Sequence, residues 1–435
     1  MIKKLIVVFI CVFALNINAQ EGTASPYSFY GIGSLKFRGT VENRSMGGLS
    51  VYADSIHLNL RNPAYYTGKN IKLFDNESRP VKFAVGASYS DLNLEAASGS
   101  EKANATTFDY LALNVPMGKF GLGFGLLPYT SVGYKLESLN DAGDAENRYR
   151  GEGGLNKAFV GLGYQITENL RIGADVSYNF GNVQNTVIEF VYDDQGELTQ
   201  FQTREDNRSD LSGLNVNFGI AYTDMLTEKL ELMASATYTP ESNLTSNNTR
   251  SFSTIVINDI TGQEFVFNTI DADLVANGLN KTDLTLPSRL SVGAGIGQPR
   301  KWFAGAEYTY QNTSKFANPI FNIANSTFEN ASSVAFGGFY IPDYNSFSSY
   351  FKRVVYRAGF RFEGTGLNIN NESINEFGIS FGVGLPVGRL FSNANVGVEF
   401  GQRGTTNQNL IQENFFNLNI SLSLNDRWFM KRKFN

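Results

Sequence analysis

The chain has 435 residues, with 36 basic against 41 acidic side chains, a net charge of −5, one histidine and one cysteine. That balance gives no reason to expect a nucleic-acid partner. A single cysteine rules out an internal disulfide, and a single histidine, with no cysteine or second histidine near it, offers neither a multi-histidine metal site nor a Ser-His pair.

The first residues read as a secretory signal. Met1-Ile2-Lys3-Lys4 is basic, Leu5 to Leu15 is apolar, and Asn16-Ile17-Asn18-Ala19 ends on a small residue, which predicts cleavage after about Ala19 and a mature start at Gln20. Cys11 lies within the apolar stretch behind Ile10, so it does not read as a lipoprotein acceptor, and the mature chain is expected to lack cysteine. Beyond this segment no apolar run of about 18 residues occurs, which excludes helical membrane spans. Only a closed barrel remains for a chain in a membrane, since lipid cannot satisfy open sheet edges.

Residues 20–79 alternate poorly and are rich in Gly, Ser and Asn, and they read as an irregular plug or hatch. Strict alternation follows. In Phe416-Asn417-Leu418-Asn419-Ile420-Ser421-Leu422-Ser423-Leu424 every second residue is apolar and the residues between are Asn or Ser, as in a strand with one face in lipid and one in a wet lumen. Up-and-down strands are expected at 81–93, 106–117, 119–136, 148–166, 169–193, 198–223, 229–257, 264–297, 300–315, 331–341, 350–363, 374–387, 389–404 and 411–425. The fold class is therefore all-β, a transmembrane antiparallel barrel of about 14 strands over residues 80–425, with the hatch inside. Strand 331–341 is required mainly by up–down parity.

Tight turns at Met117-Gly118-Lys119, Thr167-Glu168-Asn169, Thr227-Glu228-Lys229, Gln298-Pro299-Arg300 and Val387-Gly388-Arg389 are expected at the periplasmic rim. Polar links at 94–105, 137–147, 316–330 and 364–373 are expected outside. The pairs 169–223 and 229–297 exceed the roughly ten residues needed to cross a bilayer, so they should stand out of it as hairpins. Residues 426–435 form a basic periplasmic tail. A Gram-negative outer membrane is the expected location.

Within the plug, Asn43-Arg44-Ser45-Met46-Gly47-Gly48-Leu49-Ser50-Val51-Tyr52-Ala53-Asp54 is followed by Asn59-Leu60-Arg61-Asn62-Pro63-Ala64. This order resembles the hatch of the FadL-type outer-membrane transporters, as does Phe120-Gly121-Leu122-Gly123-Phe124-Gly125-Leu126-Leu127-Pro128-Tyr129 on the third strand. The resemblance implies a fourteen-strand porin-like barrel, a hydrophobic ligand such as a long-chain fatty acid, and a kink in the third strand that opens the wall near Pro128. The alternative for Pro128 is a bulge or strand end. The carboxyl half resembles the Bacteroidota branch of these barrels, some members of which are accessory subunits of secretion or assembly machines.

Arg353, Arg357 and Arg361 fall at even spacing on strand 350–363 and are expected in the lumen, where guanidinium groups bind a carboxylate bidentately. The competing reading pairs them with Glu307, Glu399, Glu231 and Asp175 at lumen-facing parity. Phe29 and Tyr30, in Pro26-Tyr27-Ser28-Phe29-Tyr30-Gly31-Ile32-Gly33, are candidates to line an apolar ligand pocket or to anchor the hatch. Asn62, Pro63 and Ala64 read as structural, fixing a bend. His57 reads as a hydrogen-bonding plug residue, and neither a cofactor nor a metal nor an enzymatic motif is expected.

Two functions follow. The first, to which the resemblance points, is passive uptake of a hydrophobic molecule, with outer-membrane lipid and the ligand as partners. The other is a non-transporting barrel subunit of an outer-membrane secretion or protein-assembly complex, with protein partners and a lumen filled by salt bridges.

Overall fold

The computed structural model describes residues 22–54, 56–67, 81–140, 142–258, 260–316, 323, 325–387 and 392–426. The signal, Cys11, the turn at Gly388-Arg389 and the basic tail lie outside the described residues.

A two-residue strand, β1 (Ser34–Leu35), precedes the wall. The wall begins with β2 (Val81–Ala96), β3 (Gly99–Met117), β4 (Phe120–Pro128), β5 (Thr130–Leu139), β6 (Ala145–Gln165), β7 (Leu170–Glu189) and β8 (Gln202–Met225). It continues with β9 (Glu231–Thr239), β10 (Ser242–Ile257), β11 (Glu264–Asp271), β12 (Lys281–Leu286), β13 (Arg289–Gln298) and β14 (Trp302–Gln311). The last are β15 (Ser326–Phe328), β16 (Ala331–Tyr340), β17 (Val355–Ile369), β18 (Glu372–Val387), β19 (Ser392–Arg403) and β20 (Gln412–Asp426). β4 with β5, β9 with β10, β11 to β13, and β15 with β16 are each one wall strand broken by an irregular residue or short segment, which gives fourteen antiparallel staves. β2 pairs with β20, Val81 opposite Asp426, and closes the ring.

Closure satisfies the backbone within the sheet, so the two faces sort by solvent. On β20 the buried residues include Asn419, Ser421, Ser423 and Asn425. Outward, Val160, Phe218, Phe336, Phe360 and Phe381 are exposed. Polar inside and apolar outside is the inverse of a soluble protein and is the membrane-barrel pattern.

Strand 331–341 exists as β16, hydrogen-bonded to both β14 and β17. Several expected boundaries move. The supposed links 94–105 and 364–373 are strand: β2 and β3 meet at residues 97–98, with Glu95 opposite Ser100, and β17 and β18 meet at 370–371. Alternation is lost there because both faces meet water, so the residues look like loop. Asn370 and Asn371 take positive φ, 53° and 64°, as a two-residue hairpin turn requires. Strand 350–363 begins only at Val355, because Phe351–Arg353 forms a 3-10 turn. On the other flank β7 has 20 residues and β8 has 24, well beyond a bilayer crossing.

Candidate functional site: the filled lumen and the wall seam

The amino-terminal segment 22–67 lies against the inner wall. Val41–Arg44 forms one helical turn, opened by a capping box in which Thr40 and Asn43 satisfy each other's backbone and side-chain groups. Arg44 reaches Asp109 at 3.0 Å and Asn419 at 2.7 Å. Inward glycines let backbone approach backbone: a Cβ at Gly337 would collide with the Met46 carbonyl, and one at Gly359 with the Gly47 amide. Asn62, fully buried, accepts from the Ala64 amide at 3.0 Å and donates to the Ile220 carbonyl at 3.2 Å. Pro63 opens the 3-10 turn Pro63–Tyr66, and Ala64 is wholly buried. These three residues tie the segment to β8.

At one level of the lumen three guanidinium groups meet three carboxylates. Arg361 contacts Glu376 and Glu399 at 2.7 Å each and Glu363 at 3.1 Å. Arg403 donates to Glu376 at 2.7 Å. Arg38, from the amino-terminal segment, pairs with Glu376 at 3.0 Å and also with Glu363. Within this set the charges balance, and each carboxylate is shared or fully occupied, the condition under which buried ions are tolerated.

The arginine ladder is thus split. Arg361 is paired with Glu399, as the competing reading expected, and Arg357 is buried and donates to Asn395 at 3.2 Å. Arg353 is not in the lumen. It sits in the 3-10 turn Phe351–Arg353, exposed, with its guanidinium 5.5 Å from the Tyr350 ring centre. The periodicity argument failed because the strand starts two residues after it.

Glu307 pairs with Arg61 at 2.6 Å and accepts from Ser50. Asp175 accepts from Asn217 at 2.9 Å. The sequence reading missed Arg38, Glu363, Glu376 and Arg403. Two of them were findable, since Glu363 and Arg361 share parity on β17 and Arg403 shares it with Glu399 on β19. A cavity of about 60 Å³ beside this network is lined by Arg38, Arg61, Arg289, Glu307, Arg361 and Glu363 among others. His57 bonds Asp54 through Nδ1 at 2.7 Å, and Lys82 donates to the carbonyls of both. No group of metal-ligating residues occurs among the described residues.

Phe29 stacks edge-on against Tyr30, Tyr134 and Tyr149, with ring centres 5.2, 4.9 and 5.6 Å away. It packs on an apolar cluster of Ile32, Val132, Leu155 and Leu244. Tyr30 packs on a second cluster of Tyr27, Leu367, Ile369 and Ile374, so both aromatics join the segment to the wall.

The wall has a seam. β3 and β4 pair only as far as Leu111 opposite Leu126. Pro128, which has no N–H to donate, ends β4, and β5 continues with β6 on one side and β1 on the other. The outer half of β3, from Gly99 to Tyr110, pairs with β2 alone. A cavity of about 360 Å³ opens at the break, lined by Thr107, Phe108, Pro128, Ser131, Gly154 and Asn182 among others. Gly22 of the amino-terminal segment also lines it, and β1 of the same segment pairs with the start of β5, Ser34 opposite Ser131 and Leu35 opposite Thr130.

The sequence matches the BamG family over residues 1–435, its full length. The chain belongs to the BamG family. No curated protein matches it. The BamG-family barrel shares its fold with several solved channels. The Pseudomonas putida toluene transporter TodX is 14% identical with a TM-score of 0.56, covering 91% of this chain and 99% of its own. A Pseudomonas aeruginosa FadL homologue is 13% identical with a TM-score of 0.55, covering 90% and 99%. The CymD monoaromatic hydrocarbon channel is 13% identical with a TM-score of 0.53, covering 89% and 97%. The FadL-type resemblance thus holds as fold: this BamG-family chain is built like the toluene transporter, the FadL homologue and the hydrocarbon channel.

Proposed function

We propose that this protein is a non-transporting subunit of an outer-membrane protein-assembly complex. The reading rests on the charge network of Arg38, Arg361 and Arg403 with Glu363, Glu376 and Glu399, which fills the lumen where a carrier needs an apolar path. Small-molecule sites are mostly apolar and enclose about 300–1,000 Å³, whereas the cavity beside this network is charged and holds about 60 Å³. Membership of the BamG family supports it. A filled barrel with long strands outside the membrane serves as a rigid body that presents surfaces.

The seam at Pro128 favours a second reading, passive movement of a hydrophobic molecule. Its cavity of about 360 Å³ lies within the size range of a ligand site. The toluene and hydrocarbon channels that share the fold support a hydrophobic molecule as its substrate class, and the FadL-type resemblance extends that class to a long-chain fatty acid. Affinity purification of the tagged protein in mild detergent, with mass spectrometry of proteins and lipids, separates the two. Stoichiometric protein partners and no bound apolar molecule support assembly. A stoichiometric apolar ligand without stable partners overturns it in favour of transport.

A further inference from the structure

Periplasmic turns of the wall are short, residues 118–119 and 166–169 for example, yet the link between β16 and β17 runs over residues 341–354. It lies on the rim that also carries Val81 and Asp426, the two ends of the barrel chain. Its two halves do different things. Ile341 is buried, and Tyr344 packs on the cluster of Met46, Phe303 and Phe339 inside the barrel. Phe347 and Phe351 are 102% and 73% exposed, and Tyr350 is exposed as well.

The exposed half turns outward. The Tyr356 hydroxyl donates to the Phe351 carbonyl at 3.2 Å, and Tyr356 begins the lipid-facing row that continues with Phe360 and Phe362. The Tyr350 hydroxyl donates to the Pro386 carbonyl at 3.1 Å on the neighbouring strand. These bonds fold the link back against the membrane face of the wall rather than under the mouth.

Cations accompany it. Lys352 and Arg353 are exposed, and the Asp343 amide donates to the Lys352 carbonyl at 2.8 Å. The Ile341 amide donates to the Lys301 carbonyl at 2.7 Å, which brings the exposed Lys301 alongside. Lys301, Lys352 and Arg353 make no ion pair among the described residues; Asp343 is the one acid of the link. Aromatic rings level with lipid headgroups and unpaired cations beside them are the chemistry of an anionic bilayer surface.

We propose that residues 347–353 form an interfacial foot that dips its aromatic rings into the periplasmic leaflet and holds anionic phospholipid headgroups with Lys301, Lys352 and Arg353. The occupant is lipid, because the foot is continuous with the lipid-facing wall and its charge complements phosphate.

The test uses the mature full-length protein with Ser348→Cys, labelled with an environment-sensitive fluorophore and reconstituted into vesicles of phosphatidylcholine with or without phosphatidylglycerol. The label is expected to emit as in an apolar medium and to resist iodide quenching when phosphatidylglycerol is present. Lys301→Gln/Lys352→Gln/Arg353→Gln should lower the immersed-to-free ratio by roughly fivefold per cation, while Lys352→Arg/Arg353→Lys should retain it. Heat-modifiable migration on gels shows that each variant is folded; should the triple variant fail, Phe347→Ser/Phe351→Ser gives the same readout. A water-like label in both vesicle types overturns the proposal, as does immersion indifferent to phosphatidylglycerol. Protection appearing only when a co-purifying protein is added also overturns it, and assigns the foot to a protein partner.

Discussion

Arg38 of the amino-terminal segment and Glu376 of β18 lie 3.0 Å apart, although 338 residues separate them in sequence. The contact fastens the segment into a network whose other members all belong to the wall. Removing one cation leaves carboxylates buried without compensation, at a cost of about 3–5 kcal/mol, whereas replacing the set together costs far less. Arg361→Met is therefore expected to lower the unfolding midpoint in urea markedly, and Arg361→Met with Glu399→Gln, which removes one charge of each sign and leaves Glu376 to Arg38 and Arg403, to recover much of the loss. Equal midpoints for the single and double variants would contradict the pairing.

Gly359 faces the Gly47 amide so closely that no side chain fits. Gly359→Val should displace the segment at a cost of about 1–3 kcal/mol and expose residues 22–67 to protease while the barrel stays heat-modifiable. Protection equal to the parent protein would show that the segment does not rest there.

The hydrogen bonds of Asn62 make a sharper test of one contact. Asn62→Ala removes the acceptor of the Ala64 amide and the donor to the Ile220 carbonyl, and is expected to cost about 1–3 kcal/mol. Calorimetric or urea unfolding of the detergent-solubilised protein measures it.

Ser34 and Ser131 are register partners at the β5 side of the seam. With Cys11 the only cysteine of the chain, Ser34→Cys/Ser131→Cys gives a clean disulfide test, since partnered Cα atoms in a sheet are within bridging range. Under the assembly reading, oxidation leaves co-purification of partners unchanged. Loss of hydrophobic-compound uptake on oxidation, restored by reductant, would favour the second reading.

Much of the wall was legible because lipid imposes a period of two on every crossing strand. Parity alone demanded β16 between β14 and β17, and β16 is there. The signal faded where strands leave the bilayer: Glu95 and Ser100 pair in a hairpin, but both of their faces meet water. Arg353 illustrates the opposite error, since an even spacing continued by chance into a turn. The lumen network was half legible. Glu399 stood out by parity, whereas Arg38 has no periodic neighbour, and only the fold of the segment brings it to Glu376.

The outer rim is uneven. β2–β3 and β17–β18 end in two-residue turns, while β7 and β8 climb on as one flank of tall ribbon, roughly 80 Å of strand in the 24 residues of β8. A symmetric pore looks alike from every side in the plane of the membrane. This barrel has a front and a back, so a neighbour meeting the tall flank and one meeting the low flank encounter different bodies, and the molecule has a compass bearing as well as a depth.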